Sequence, residues 1–372
     1  MSAAIVSQPA MKPVEIYNFL EQHVIGQQET LRYVSVAIFK HLQGEKYGNL
    51  LLIGNSGTGK TTIMRAVEAL YGAYPEFSEY RVVLIMNAST LAAEDGSVDT
   101  SRLFSRLEER VRLLLGGAAS AEEVVRAMER ATICLDEIDK ISGVIGGKPY
   151  VTGINIQQAL LTLIEGERVP LALTAVRGGI PESTSLWIDT SRMLFLCAGA
   201  FENLYDQVFA RVTSAKSGVK LPTTTTYVNG KIQIREYFTL RNHFRQEDLF
   251  EYGMQPQFLS RFDNAVILDD LNPGVLCRIF KEPASGVLQL SRNFFRKYGI
   301  DLEITDDAVQ KIAEEAARSS RIGARALKSV YGRVIKPFEF DPFAQGQIEA
   351  AGGRHRLVID ESLVSSALKP PV

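Results

Sequence analysis

The sequence predicts an α/β protein: a large domain with a parallel sheet flanked by helices, followed by a smaller, mainly helical α+β domain. Short, continuous apolar runs alternate with amphipathic helical stretches, which is typical of strands covered on both faces. This alternation indicates parallel strands joined by right-handed helical crossovers. After a linker-like stretch at residues 269–273 the pattern becomes mostly helical, which indicates a second domain.

The predicted elements follow in chain order. Residues 14–42 are predicted to form two helices with a break near His23, and the polar segment 214–231 is predicted to be an exposed loop. The predicted strands are 49–53, 81–86, 132–135, 193–197 and 356–359, and the other predicted helices are 61–70, 100–115, 154–165, 273–295 and 306–319. We expect a flexible leader over residues 1–13, a large domain over 14–269 and a small domain over 270–372.

Composition excludes several classes of protein. Lys and Arg number 41 against 43 Asp and Glu, so the net charge of −2 argues against a surface devoted to nucleic acid. Cys134, Cys197 and Cys277 lie far apart, which disfavours a disulfide scaffold or a structural zinc site. No apolar run approaches the roughly 18 residues of a membrane span, and the first residues do not resemble a secretory signal. We therefore expect a cytoplasmic protein with no membrane partner.

A glycine-rich segment after the first predicted strand fits the pattern GxxxxGK[ST]. Its glycines allow backbone N–H groups to surround phosphate oxygens, and the following helix adds positive potential at its N-terminus. Lys60 is expected to reach the β- and γ-phosphates of a bound nucleotide, and the Thr61 hydroxyl is expected to bind Mg²⁺. The predicted nucleotide-binding residues of this segment are Ser56, Gly57, Thr58, Gly59, Lys60, Thr61 and Thr62.

A second acidic signal follows the predicted strand at 132–135. Asp136 and Glu137 come directly after this apolar run, so both carboxylates should lie at the same edge of the sheet as the phosphate segment. We expect Asp136 to contribute to the Mg²⁺ shell and Glu137 to polarise an attacking water. The second carboxylate favours nucleotide hydrolysis over nucleotide sensing alone.

Six motifs in order resemble the ClpX branch of the Clp/HSP100 AAA+ ATPases. The resemblance extends from about residue 14 to about residue 365, nearly the whole chain. Its motifs are HVIGQ at 23–27, LDEIDKI at 135–141, QQALLTLIEG at 157–166, DTSRMLFLCAGAF at 189–201, PQFLSR at 256–261 and GARAL at 323–327.

The resemblance implies a ring, usually a hexamer, with ATP bound between the large and small domains. It implies that Arg261 reaches the ATP of the neighbouring subunit, that Arg325 acts on ATP in its own subunit, and that Val24 and Ile25 pack on the adenine. The alternative interpretations are that Arg261 is a surface charge and that Val24 and Ile25 are ordinary core residues. No polar side chain at 197–200 suggests itself as the family's sensor 1.

The sequence also departs from the resembled family. We expect no N-terminal zinc domain. The first pore loop, at 90–99, contains three acids and no aromatic residue, so it lacks the large contact area with which an aromatic side chain grips a polypeptide. Tyr150 could supply an aromatic near the second pore loop, but a turn residue is the preferred interpretation. Residues 177–182 keep one arginine and add an acid. Residues 214–231 lack the Ile-Gly-Phe tripeptide, so we expect no ClpP-type peptidase partner.

These features lead to one principal hypothesis and two alternatives. The principal hypothesis is an ATP-hydrolysing, Mg²⁺-dependent homo-oligomeric ring that remodels a specific protein client. The first alternative is a processive unfoldase that translocates polypeptide with Tyr150 or another pore residue. The second is a nucleic-acid-associated regulator, for which only the basic stretch 318–333 could be offered, and that stretch also fits a solvated helix face.

Overall fold

The chain forms two compact units in a computed structural model. The structure describes residues 11–45, 48–116, 119–177, 180–214, 217–221, 223–228, 231–236, 238–283, 286–318, 322–343, 348–351 and 354–369. The first unit comprises the chain up to Val24 together with Gln28–Gly54 and Lys60–Leu268. The second comprises Ile25–Gln27, Asn55–Gly59 and the chain from Asp269 onward. Most of the predicted leader, residues 1–10, lies outside the described part, and the first helix begins at Pro13.

The first unit contains the parallel sheet. Its helices are α1 Pro13–His23, α2 Gln28–Leu42, α3 Lys60–Ala73, α4 Ser101–Leu115, α5 Ala121–Met128, α6 Val151–Glu165, α7 Leu204–Thr213, α8 Leu240–His243, α9 Gln246–Tyr252 and α10 Pro256–Leu259. Its strands are β1 Leu50–Ile53, β2 Val83–Asn87, β3 Thr132–Asp136, β4 Val144–Ile145, β5 Lys148–Pro149, β6 Arg168–Arg177, β7 Ile180–Asp189, β8 Leu194–Gly199, β9 Thr223–Val228, β10 Lys231–Glu236 and β11 Asn264–Ile267.

The central sheet has the strand order β11-β1-β8-β3-β2, and every pair in it is parallel. Alternate residues of each strand enter two different cores, because successive side chains of a strand point to opposite faces. In β1, Leu51 and Ile53 join one core, whereas Leu50 and Leu52 join the other. The predicted parallel α/β class is therefore confirmed, and helices cover both faces as the continuous apolar runs indicated.

The prediction of an exposed loop over 214–231 holds for the described residues 217–221, which form no helix or strand, and is wrong from Thr223 onward. Strand β9, at Thr223–Val228, pairs antiparallel with β10, at Lys231–Glu236. The four consecutive threonines are β-branched and fit a strand. Asn229 and Gly230, between the two strands, are the sequence most typical of a two-residue hairpin connection. A second hairpin, β6 with β7, was not predicted, and within it the side chains of 174–183 lie outside the described part.

The second unit is small and mostly helical, as predicted. Its helices are α11 Pro273–Lys281, α12 Val287–Arg296, α13 Asp306–Ala317, α14 Arg325–Phe340 and α15 Glu361–Leu368. A three-stranded sheet has the order β12-β14-β13, formed by Ile300–Ile304, Arg354–Ile359 and Ile348–Ala351. These elements share one apolar core that includes Phe280, Phe295 and Tyr331. Across the described ranges of both units, no helix has the length and apolar character needed to cross a membrane.

Candidate functional site

The two ends of the phosphate segment lie in the first unit: Gly54 follows β1, and Lys60 and Thr61 form the first turn of α3. The Gly54 N–H donates to the carbonyl of Gly199 at 3.2 Å, which fixes the loop beside the end of β8. Lys60 is the first residue of α3, and only 8% of it is exposed. Its Nζ donates to the Gly54 carbonyl at 2.5 Å. The ammonium group is therefore held beside Gly54, at the helix N-terminus where an anion would bind.

Thr61 and Asp136 are brought together as predicted. The Thr61 hydroxyl donates to Asp136 Oδ2 at 2.6 Å, and Asp136 Oδ1 accepts the Glu137 N–H at 2.9 Å. A hydroxyl and a carboxylate oxygen are the ligand types that Mg²⁺ prefers in phosphate-binding sites. Because the two oxygens already lie within hydrogen-bond distance, this pair fits a shared Mg²⁺.

Glu137 stands at the end of β3 in an unusual backbone conformation. Its φ of +55° is left-handed, which is uncommon for residues other than glycine and is often found at functional sites. Its side chain is solvent-accessible and accepts a hydrogen bond from Asn87 Nδ2 at 3.1 Å. Asn87 ends β2 and lies opposite Asp136 in the parallel register. Asn87 was not predicted from the sequence, because its contact with Glu137 depends on β2 lying next to β3.

The end of β8, where no sensor residue was predicted, is organised by Asp139. This aspartate is 5% exposed, and its Oδ1 accepts the Ala200 N–H at 3.1 Å. A Cβ at Gly199 would lie 2.9 Å from Asp139 Oδ1 and 2.5 Å from the Phe201 ring. Only glycine therefore fits this position, and the strand end stays close to the acidic motif.

In the second unit, the remaining part of the phosphate segment contacts the start of α14. Arg325 Nη1 donates to the Ser56 hydroxyl at 2.6 Å, and the Ala324 N–H donates to the Gly57 carbonyl at 3.1 Å. Gly57 has a φ of +75°, and a Cβ on it would lie 2.4 Å from the Ile322 carbonyl. Two predicted site residues distant in sequence, Ser56 and Arg325, are therefore in direct contact.

Gln27, for which no role was predicted from the sequence, is hydrogen-bonded to this segment. Its Nε2 donates to the Thr58 carbonyl at 3.1 Å and to the Asp269 carbonyl at 2.8 Å. Its Oε1 accepts the Asp269 N–H at 2.9 Å. Gln27 is 3% exposed, so its amide group joins the phosphate segment to the start of the small domain inside the second unit.

The two predicted adenine contacts fall in different surroundings. Val24 is 2% exposed and belongs to the core of the first unit. Ile25 is half-buried and belongs to the second unit. Thr62, on α3, is exposed. The adenine-binding role of Val24 and Ile25 stays a prediction.

Arg261 follows α10 at the edge of the first unit. Its Nη2 donates to Glu165 Oε1, at the end of α6, and 41% of its side chain is exposed. Arg261 is therefore an ion-paired surface arginine whose guanidinium remains accessible to solvent.

Residues 90–99, which were predicted to correspond to the family's first pore loop, form a hairpin closed by backbone hydrogen bonds. Ala92 and Val98 form an isolated antiparallel bridge, and the Asp99 N–H donates to the Leu91 carbonyl at 2.9 Å. Arg102 Nη1 donates to the carbonyls of Thr90 at 3.2 Å and Ala92 at 2.9 Å. Both carbonyls belong to the first arm of the hairpin, and Arg102 Nε lies 3.2 Å from Asp99 Oδ2 on the second arm.

Tyr150 is placed as a turn residue. It immediately precedes α6, and its N–H donates to the Gly143 carbonyl at 2.7 Å. A Cβ on Gly153 would lie 2.7 Å from Tyr150 Cδ1, so the ring packs against its own helix. This packing supports the turn interpretation over that of a pore aromatic.

A parallel sheet with a glycine-rich phosphate loop after one strand and an Asp-Glu pair after another defines a P-loop nucleoside triphosphatase. The chain belongs to the AAA domain family (Cdc48 subfamily), whose model matches residues 45–265. The C-terminal, D2-small domain of ClpB matches residues 278–357. The protein is therefore an AAA+ ATPase with the two domains of that class.

Its similar proteins include ATP-dependent Clp protease ATP-binding subunits ClpX. The ClpX of Porphyromonas gingivalis is 26% identical over 374 residues, which span 96% of this chain and 82% of the relative. That of Treponema denticola is 27% identical with the same coverage. That of Azotobacter vinelandii is 28% identical over 90% of this chain and 75% of the relative. The chain is thus a divergent ClpX-like ATPase, as the motifs indicated.

Proposed function

We propose that this protein forms an AAA+ ring, a hexamer by analogy with its family, that hydrolyses ATP in order to remodel a specific protein or complex. The observation that carries the proposal is the contact of Thr61, Asp136, Glu137 and Asn87 at one edge of the sheet. This set contains an oxygen pair that would hold Mg²⁺ and a second carboxylate held by a hydrogen bond, and that second carboxylate favours hydrolysis over nucleotide binding alone. The name shared by the relatives supports action on proteins.

In the proposed reaction, Lys60 and the backbone of 56–61 bind the phosphates of ATP. Thr61 and Asp136 would hold Mg²⁺, which when bound offsets phosphate charge and orients the terminal phosphate. Glu137 orients the attacking water and accepts its proton, while the Asn87 amide holds the carboxylate at 3.1 Å. The accessibility of Glu137 gives water a path to this carboxylate.

Two arginines complete the proposed mechanism. Arg325, hydrogen-bonded to Ser56, binds the phosphates of the ATP held by its own chain and relays their loss to the small domain. Arg261 reaches the ATP of the neighbouring subunit, where a cation stabilises charge that develops on the transferred phosphoryl group. Val24 and Ile25 are proposed to border the adenine.

The proposed client interaction differs from threading by aromatic loops. The 90–99 hairpin has no aromatic side chain and is closed by backbone hydrogen bonds, and Tyr150 packs on its own helix. We further propose that no ClpP-type peptidase and no nucleic acid take part, because 214–231 lack the docking tripeptide and the net charge is −2. The client is then a protein whose conformation changes without processive translocation.

A trapped ring tests this proposal. The Glu137→Gln variant should bind ATP, assemble and retain the client, because only the hydrolytic step is removed. Pull-down of this variant with ATP, compared with Lys60→Ala as a variant deficient in ATP binding, should enrich a defined protein only in the former. Light scattering should report one ring size. The proposal would be contradicted if light scattering showed the Glu137→Gln variant to be monomeric with ATP. Stimulation of the ATPase activity by DNA, falling steeply with salt, would also contradict it.

A further inference from the structure

We propose that Glu165 is a positioning residue that orients the Arg261 guanidinium toward the neighbouring subunit's ATP. The inference rests on the proposed action of Arg261 between subunits, and it adds the Glu165 carboxylate as the group that orients the Arg261 guanidinium. Three contacts within the first unit, from Asn49, Gln157 and Glu165, hold the segment that carries Arg261.

Asn49 fixes the backbone at Arg261 itself. Its Nδ2 donates to the Arg261 carbonyl at 3.4 Å, and its own carbonyl accepts the Asp263 N–H at 2.9 Å. Its Oδ1 accepts the Phe195 N–H at 3.0 Å, so Asn49 is tied to β8 as well. Only 8% of Asn49 is exposed. The main chain around Arg261 is therefore attached directly to the central sheet.

Gln157, in the middle of α6, fixes the start of the same segment. It is fully buried, its Nε2 donates to the Ile141 carbonyl at 2.7 Å, and its Oε1 accepts the Gln255 N–H at 2.7 Å. Ile141 belongs to the turn that follows Glu137, so this amide joins the arginine segment to the hydrolytic motif. Helix α6 is thus the support for the segment that carries Arg261.

Glu165 ends that helix and contacts the side chain of Arg261. The helix end is firmly placed, because Gly166 has a φ of +83° and a Cβ on it would lie 2.7 Å from Ser191 Cα. A carboxylate at a helix C-terminus faces the negative end of the helix dipole, so an arginine beside it is electrostatically favoured. The Glu165 position is therefore set by α6 and not by the arginine.

The solvent exposure of the Arg261–Glu165 ion pair indicates that the pair orients the arginine and adds little to the stability of the fold. The Arg261 and Glu165 side chains are 41% and 29% exposed, and ion pairs at such sites contribute little to folding. Glu165 engages Nη2, and a planar guanidinium has further N–H groups on Nη1 and Nε for a phosphate oxygen. Because Glu165 already restricts the guanidinium through Nη2, the group loses less conformational entropy when its other N–H groups bind a phosphate oxygen.

The kinetic effect should fall on kcat. Glu165→Ala is expected to lower kcat about tenfold with KM nearly unchanged, because the arginine acts on charge that develops in the transition state. Glu165→Gln should lose less, since its amide oxygen can still accept from Arg261. Glu108→Ala is the matched control, because it removes a Glu–Arg pair on α4, where Arg112 Nε lies 2.8 Å from Glu108 Oε1. The melting temperatures of all three should stay near the unmodified value.

Mixed rings separate this role from a defect in the variant's own ATP site. Glu137→Gln subunits cannot hydrolyse ATP but carry an intact Glu165 and Arg261. In rings with an excess of Glu137→Gln subunits, most Glu165→Ala subunits receive Arg261 from a neighbour whose Glu165 is intact. The ATP hydrolysis rate per Glu165→Ala subunit should then equal the rate per unmodified subunit in rings with the same excess of Glu137→Gln subunits. Arg261→Ala subunits, treated identically, provide the reference for an arginine acting between subunits.

The outcomes distinguish the inference from the function it rests on. Rescue of both Arg261→Ala and Glu165→Ala supports it. Rescue of Arg261→Ala alone overturns the role of Glu165 and leaves the proposed function intact. Absence of rescue for Arg261→Ala overturns the action between subunits and this inference with it. A Glu165→Ala kcat equal to that of Glu108→Ala also overturns the inference.

Discussion

Arg102 fastens the 90–99 hairpin, and its removal should loosen that segment without unfolding the large domain. Its guanidinium donates to the carbonyls of Thr90 and Ala92, both on the first arm of the hairpin, at 3.2 and 2.9 Å. Three N–H groups inside the segment, those of Ala93, Gly96 and Asp99, are hydrogen-bonded to carbonyls within it. If the hairpin is a closed structure, these three amides should be protected from hydrogen exchange.

The expected magnitude follows from the two backbone contacts of Arg102. A hydrogen bond from a charged donor contributes about 1.5–3 kcal/mol when it is shielded from water, and exposure reduces this. The Arg102 side chain is 45% exposed, so the two bonds together should contribute about 1–2 kcal/mol. We assign nothing to the exposed Asp99 ion pair. Arg102→Ala should therefore speed local exchange at 93–99 by about 5- to 30-fold.

Hydrogen–deuterium exchange with mass spectrometry of peptides across 88–104 measures this effect. Arg106→Ala is the matched control, because it removes the same charge one turn further along α4 and should leave exchange at 93–99 unchanged. Rapid, unprotected exchange of 93–99 in the unmodified protein would refute the closed hairpin. That result would also make the 90–99 segment compatible with a mobile loop that moves a polypeptide.

Three further predictions concern catalysis and stability. Asn87→Ala removes the amide that holds Glu137 and should lower kcat about fivefold with little change in ATP affinity. Asn87→Asp should lower kcat further, because it places a second negative charge beside the Glu137 carboxylate. Steady-state ATPase kinetics measure both effects. Arg325→Ala should weaken ATP binding about tenfold, measured by calorimetry, with Arg333→Ala as a control on the same helix. Burial lowers the pKa of His41 from 6.5 to about 4, so the unfolded chain binds more protons between these values. Stability should therefore fall by about 2 kcal/mol from pH 7 to pH 5, and His41→Gln should remove most of this slope in urea unfolding.

The fold class could be predicted because its signals are local. The apolar run that becomes β1 at Leu50–Ile53 is buried at every residue, and the glycine-rich segment after it leads into α3 as expected. The hairpin of β9 and β10 was missed because its threonines lie in the polar segment that was predicted to be an exposed loop. Its local signal was present in Asn229-Gly230, between two runs of β-branched residues.

The parts of the site that could not be predicted depend on contacts between distant residues. Asp136 and Glu137 could be found from their position after an apolar run. Asn87 could not, because its importance comes from the pairing of β2 with β3. Glu165 likewise lies 96 residues from Arg261, and nothing in the local sequence of either joins them. These contacts depend on strand order and on the placement of helices. Hydrophobic periodicity in one sequence predicts the elements but not which distant elements become neighbours.

The central claim is that this AAA+ ATPase hydrolyses ATP with Glu137 as the group that activates water. Single-turnover hydrolysis of radiolabelled ATP by the Glu137→Gln variant tests it most directly, with ATP binding measured on the same preparation. We predict binding close to that of the unmodified protein and a hydrolysis rate lower by about 100-fold or more. A Glu137→Gln variant that hydrolyses bound ATP at the unmodified rate would contradict the claim.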